Sequence, residues 1–186
     1  MIVLFSTQTL HIHRILNSGM MNSSIVLIQL SLYDGMAFYD MLQHIGKDEN
    51  AFTNPVCGMS YEEYKEWLKQ QDDWSRGENL PIGYVGQTVF WLMDDATPVG
   101  IGKIRHSLTE SSRAFGGNIG YAISSEYRGR GYGSVLLKEL LRKADEMGVA
   151  EKILTVEKYN YASKKVIENN GGKLYDENEL RWYFEF

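Results

Sequence analysis

Residues 128–133 read Arg-Gly-Arg-Gly-Tyr-Gly, two guanidinium groups and three glycines in six positions, and Ser134 then leads into an apolar run. Such a stretch ahead of a helix makes an anion site. The first turn of a helix has amide N–H groups without intrahelical acceptors and carries the positive end of the helix dipole. Gly129, Gly131 and Gly133 keep side chains away from those groups and permit the positive φ that a tight curl requires. Arg128 and Arg130 add charge. The ligand this predicts is a phosphate, most economically a pyrophosphate.

Two familiar phosphate loops fit poorly. A nucleoside-triphosphate loop ends in Gly-Lys-Ser/Thr, and Gly133-Ser134 lacks the lysine. A dinucleotide fingerprint wants glycine at 129, 131 and 134 within a βαβ unit, whereas position 134 is serine. A third reading, an RNA-binding Arg/Gly segment, requires repeats, and only one short copy exists.

The elements around this segment follow from periodicity. A strand is predicted from residue 24 ("SIVLIQLSL"), then a helix through Met36, Tyr39, Met41 and Leu42. "KDENAFTNPVCG" reads as loop. A second helix starts at Ser60, which forms a capping box with Glu63, and carries Tyr64, Trp67 and Leu68 on one face. Residues 72–86 read as a long connection and a candidate substrate wall. "QTVFWLM", "PVGIGKIRH" and "GNIGYAIS" read as an antiparallel meander, with the polar "SLTESSRAFGG" joining the last two. On the third strand Ile119, Tyr121 and Ile123 share one face, while Asn118, Gly120, Ala122 and Ser124 leave the other nearly bare. A bare face admits a ligand, another backbone or a packed helix.

Beyond the glycine turn, Val135, Leu136, Leu140, Ala144 and Met147 predict a helix that stops at Gly148. "EKILTVE" is a short strand. Asn160 caps a further helix with an Ala162/Val166 stripe and a stop at Gly171, and two short strands follow.

Composition bounds the rest. The 186 residues fit one domain, taken as 21–186, with residues 1–20 as an N-terminal extension. A net charge of −5 argues against nucleic-acid binding driven by basicity. The single cysteine, Cys57, allows no internal disulfide and suits a reducing, cytoplasmic compartment. Four scattered histidines predict no metal. No run reaches the roughly 18 apolar residues of a spanning helix, so no membrane association is expected. A homodimer is the default oligomer.

The order of elements, with Arg128-Gly129-Arg130-Gly131-Tyr132-Gly133 between "IGYAIS" and "SVLLKELLRKADEMG", resembles the GNAT superfamily of acetyl-CoA-dependent N-acyltransferases, whose signature is Gln/Arg-x-x-Gly-x-Gly/Ala. The resemblance covers roughly residues 24–186. The stretches "GENLPIGYVG", "KIRHSLTE", "GGNIGYAIS" and "ASKKVIENNGG" are similar to a bacterial branch whose acceptors are unassigned. It implies an α+β fold: a central mixed, mostly antiparallel sheet of about seven strands, flanked by about four helices, with a splayed parallel pair formed by "GNIGYAIS" and "EKILTVE".

It further implies that acetyl-CoA lies in that splay. Its arm would pair with main-chain groups near Ala122 and Ile123, and its pyrophosphate would rest on residues 128–134. Asn160 and Ser163 would contact it at the head of the following helix. The chemistry implied is direct attack of an amine on the thioester, its carbonyl polarised by a backbone N–H near Ile123. Glu157 and His106 are the candidate bases. Many members carry a tyrosine seven residues after the asparagine to protonate the leaving thiolate, and this chain has Ile167 there. The expected acceptor is a small-molecule or peptide amine, and acidic composition is compatible with a cationic one. The alternative is an acyl-CoA-binding regulatory module without turnover.

Overall fold

A computed structural model of the chain describes residues 24–186. The proposed extension 1–20, and the domain start at 21, lie outside the described residues. Four strands form an antiparallel sheet in the order β1, β4, β5, β6: β1 (Ile25–Gln29), β4 (Gln87–Asp94), β5 (Thr97–Arg105) and β6 (Ile119–Ile123). A second sheet runs β7 (Ile153–Glu157), β9 (Arg181–Glu185), β8 (Lys173–Glu177).

Alternation along β4 builds two cores. Val89, Trp91 and Met93 face α1 (Met36–Gln43) and α2 (Tyr61–Ser75), whereas Phe90 and Leu92 face α4 (Tyr132–Glu146). The α1/α2 side is aromatic, with Tyr64 stacked on Trp67 and the indole N–H of Trp91 donating to buried Asp34 at 2.6 Å. On the other side Leu136, Leu137, Leu140 and Ala144 of α4 are buried against β5 and β6. Met147 is partly exposed, and Leu137 takes the core place that the sequence pattern gave it.

Local signals produce local structure. Ser60 and Glu63 form the reciprocal capping box, with Ser60 N–H donating to Glu63 Oε2 at 2.7 Å. Gly148 and Gly171 lie at positive φ just past α4 and α5 (Tyr161–Asn169). Three expectations change. Residues 72–75 belong to α2, where Arg76 pairs with Asp72 and Asp73 and closes the helix end. The polar joint before β6 contains a short helix, α3 (Glu110–Phe115), capped by Thr109 and Ser112 and too short to show a buried stripe. In α5 the fully buried residue is Ile167, and Ala162 is exposed.

The fourth change bears on the site. The segment read as loop forms a small hairpin, β2 (Asp48–Glu49) with β3 (Phe52–Thr53), turned by Asn50 and Ala51 at φ 54° and 63°. Paired positive φ marks a turn that normally demands glycine at its second position. Ala51→Gly is therefore expected to stabilise the protein by about 1 kcal/mol, the cost of a left-handed alanine, read as a higher denaturation midpoint in urea.

Candidate functional site: a cavity between two sheets

β6 and β7 part. Asn118, fully buried at the start of β6, clasps β7 three times: its N–H donates to Ile153 O at 2.9 Å, its Nδ2 to Glu151 O at 2.6 Å, and its Oδ1 accepts from Ile153 N at 2.8 Å. Past this clasp no ladder joins the two strands. A cavity of about 860 Å³ opens between them, inside the usual range of roughly 300–1,000 Å³ for ligand sites.

Hydrogen-bond alternation decides what the strands present to this cavity. Arg105 N–H donates to Asn118 O and Ser124 N–H to Val99 O, so the even residues of β6 face β5. Tyr121 and Ile123 consequently turn their N–H and C=O groups into the gap. On β7 the bond from Phe186 N to Lys152 O, and that from Lys158 N to Leu180 O, likewise leave the main chain of Thr155 facing the gap. Unpaired edges inside a fold require a partner, and the gap has room for one that carries amides of its own. Ala122, expected to pair through its main chain, is engaged with β5 and offers the cavity only its methyl.

At one end of the cavity stands the glycine turn. Gly129 and Gly131 have φ of 76° and 85°, and Gly131 is the N-cap of α4 without a side-chain capping bond. The amides of residues 128–133 donate to no acceptor among the described residues. Ser134 Oγ accepts from Asn170 Nδ2 at 3.0 Å, which leaves its proton for a ligand. The Tyr132 hydroxyl donates to Asp94 on β4 and anchors the turn, and that bond pushes its pKa up to about 12.

The two arginines divide. Arg130 stacks over Tyr127 and donates to Glu126 O, with no carboxylate partner among the described residues. Arg128 donates from Nε to Ile123 O at 2.9 Å and from Nη2 to Glu49 Oε2 at 2.8 Å. This pairing holds the Glu49 carboxyl below its ordinary pKa. Arg128 thus fastens the β2–β3 hairpin over the cavity. Sequence reasoning missed Glu49, because the pair is formed across 79 positions.

At the head of α5, Asn160 Oδ1 caps the helix by accepting from Ser163 N at 3.1 Å, and both residues line the cavity. Ser163 Oγ meets the Tyr121 hydroxyl at 2.9 Å, and burial pushes Tyr121 up to about 12. Lys165, which the sequence reading did not single out, also lines the wall.

The candidate bases stand apart from this group. His106 Nε2 lies 2.9 Å from Thr88 Oγ1, outside the cavity lining, and burial lowers its pKa. Glu157 is 3.2 Å from Arg181 Nη2 and accepts from Tyr159, whose side chain and that of Arg181 are the ones on the wall. Ile167 sits in the core, and its neighbour Val166 lines the cavity instead. The β2–β3 hairpin supplies Glu49, Ala51 and Phe52 to the lining, and Gly116 comes from the end of the joint before β6; residues 72–86 supply nothing. Among the described residues no three His, Cys, Asp or Glu side chains gather as a metal would require, and no helix is long and apolar enough to cross a membrane.

Comparison with known proteins agrees with this geometry. The profile of the acetyltransferase (GNAT) family matches residues 44–171. No curated protein matches the chain by sequence. Among solved structures, the ribosomal L7/L12 alpha-N-protein acetyltransferase RimL in complex with coenzyme A is similar at a TM-score of 0.65, with 14% identity over 87% of this chain and 93% of that one. The Campylobacter jejuni N-acetyltransferase PseH with acetyl coenzyme A gives 0.52, at 15% identity over 87% and 97%. The GNAT domain of S. lividans PAT gives 0.61, at 13% identity over 89% and 92%. At these identities the likeness is one of fold.

Proposed function

We propose, because this chain belongs to the acetyltransferase (GNAT) family, that it moves the acetyl group of acetyl-CoA to a primary amine of a small molecule or peptide by direct attack. The observation that carries the reading is the run of unsatisfied amides at 128–133 at one end of a gap whose walls present unpaired main chain at Tyr121 and Thr155 and the free N–H of Ile123, whose carbonyl is taken by Arg128. A diphosphate fits the first. An arm with amides fits the second.

In this reading the α4 amides and Arg130 hold the pyrophosphate, and Ser134 donates its hydroxyl. Asn160 Nδ2, which has no acceptor among the described residues, and the main chain of Tyr121 align the arm. Ile123 N–H faces the gap and polarises the acyl carbonyl as negative charge develops on its oxygen. The amine must arrive neutral, and water in the open cavity takes its proton, since Glu157 is committed to Arg181 and His106 to Thr88. A thiolate is a far better leaving group than an amide nitrogen and can take its proton from water after it departs, so no dedicated acid is required. That is how Ile167 is compatible with turnover.

The test measures thiol release from acetyl-CoA across an amine panel, with mass spectrometry of the products. Amine-stimulated release matched by acetylated amine is the expected result. Tight coenzyme A binding with no stimulated release would instead favour a binding module, the reading that Ile167 keeps open.

A further inference from the structure

The cavity has two continuous halves, and a cofactor lying in the gap fills only one of them. The other is a bay on the bare face of β6. Gly120 and Ala122 form its floor, and Ile45, Ala51 and Phe52 stand over it, the last two from the β2–β3 hairpin. The Phe52 ring is 3.7 Å from where a Cβ on Gly120 would begin, so the missing side chain lets the hairpin come down as a roof.

Each strand of this roof is tied down by a cation. On β3, Lys103 Nζ donates to Thr53 O at 2.8 Å and lies 4.6 Å from the centroid of the Phe52 ring. On β2, Arg128 donates from both Nη atoms to the Glu49 carboxylate, a bidentate pair of fixed geometry. Glu49 Oε2 also accepts from Gly46 N at 3.1 Å, which ties the carboxylate to the chain just before β2. Arg128 Nε holds Ile123 O at 2.9 Å. One side chain thus joins the roof, the glycine turn and the strand residue whose N–H faces the gap. Its charge is already matched at contact distance and offers a phosphate less than an unmatched one does. Arg130, without a carboxylate partner among the described residues, is the unmatched one.

We propose that Arg128 is a positioning residue for the acceptor and not a phosphate ligand: through Glu49 it sets the height of the β2–β3 hairpin over the bare face of β6, where the acceptor lies against Ala122 while its amine reaches the gap beside Ile123. The proposal rests on the acetyl-transfer reading. It separates the two arginines of the turn by task. Arg130 serves the pyrophosphate, and Arg128 serves the wall that the acceptor meets.

The experiment makes Glu49→Gln and Arg128→Gln singly and together, with Arg130→Gln beside them. Glutamine at 128 keeps the signature of the turn, and the double variant leaves the net charge unchanged. Three quantities are read: coenzyme A affinity by calorimetry, hydrogen exchange of the amides of residues 46–54, and KM and kcat for the most active amine of the panel at saturating acetyl-CoA. Exchange in the hairpin should rise about tenfold in each single variant and no further in the double, because all three remove one shared interaction. KM for the amine should rise about fivefold with kcat within about twofold, the mark of lost acceptor binding. The double variant should bind coenzyme A within about twofold of the parent, whereas Arg130→Gln should lose about tenfold. A double variant that loses coenzyme A affinity as Arg130→Gln does would make Arg128 a phosphate ligand and overturn the proposal. Hairpin exchange that does not move, or an amine KM that does not, overturns it equally. A parent without amine-stimulated thiol release overturns acetyl transfer, and with it the place of an acceptor in the bay; exchange and calorimetry then still decide whether Arg128 serves the hairpin or the phosphates.

Discussion

Gly131→Asp should leave the protein folded and cost it about a hundredfold in acetyl-CoA affinity. Gly131 is the N-cap of α4 at φ 85°, with nothing within 4 Å of where a Cβ would stand. Space is therefore not the obstacle. A left-handed non-glycine residue costs about 1 kcal/mol, and a carboxylate at a helix N-terminus returns roughly 0.3–1 kcal/mol. Stability should thus barely move, and the melting temperature should stay within about 3 °C. Binding responds differently. A carboxylate about 4 Å from a phosphate is opposed by about 4 kcal/mol at an effective dielectric of 20, and screening at an exposed turn reduces this to about a hundredfold. Gly131→Asn is the neutral control: it has the same size and left-handed tolerance without the charge. Calorimetric titration with coenzyme A, beside thermal melts, separates the two. Equal losses in Asp and Asn would mean that the turn does not hold the phosphates.

That site was legible in the sequence because its parts are contiguous. Glycines at 129, 131 and 133 announce backbone freedom, the apolar run after Ser134 announces the helix, and the anion site is the sum of the two. The capping box at Ser60 and Glu63 and the stops at Gly148 and Gly171 were readable for the same reason. The β2–β3 hairpin escaped because Ala51 stands where Gly would have signalled the turn, and two-residue strands are too short to alternate. Its purpose escaped too, since Glu49 finds Arg128 across 79 positions. For β6 the reading of one large and one bare face was right: Ile119, Tyr121 and Ile123 pack toward α4, and Gly120 lies under Phe52. What periodicity could not supply was which main-chain groups are free. That depends on the ladder parity with β5, which assigns Ala122 to the sheet and Tyr121 and Ile123 to the gap.

Gly117→Ala tests the other end of the gap. The cavity exists because β6 and β7 are tied at one point and nowhere beyond it, so the tie sets both the angle between the sheets and the width of the opening. Gly117 makes that tie possible. It bridges to Leu154 at φ 69°, and a Cβ there would lie 1.9 Å from Ile153 O and 2.5 Å from Ile153 C. Both obstructing atoms are backbone, so no rotamer change relieves the contact. Displacing β7 would stretch the bond from Asn118 N–H to Ile153 O, now 2.9 Å, and would leave the buried amide of Asn118 without its partners. Left-handed strain of about 1–2 kcal/mol and overpacking of about 1–3 kcal/mol together predict a loss of about 3 kcal/mol, or roughly 10 °C in melting temperature. Gly116→Ala is the paired control. Gly116 has an extended φ of 176°, and its Cβ would reach no closer than 3.6 Å to Arg105 Nη1, so its cost should stay within about 0.5 kcal/mol. If the two variants melt together, the clasp does not carry the gap. If Gly117→Ala alone is destabilised and its remaining folded fraction binds coenzyme A more weakly, the width of the gap is set where β6 begins, some distance from the turn that holds the phosphates.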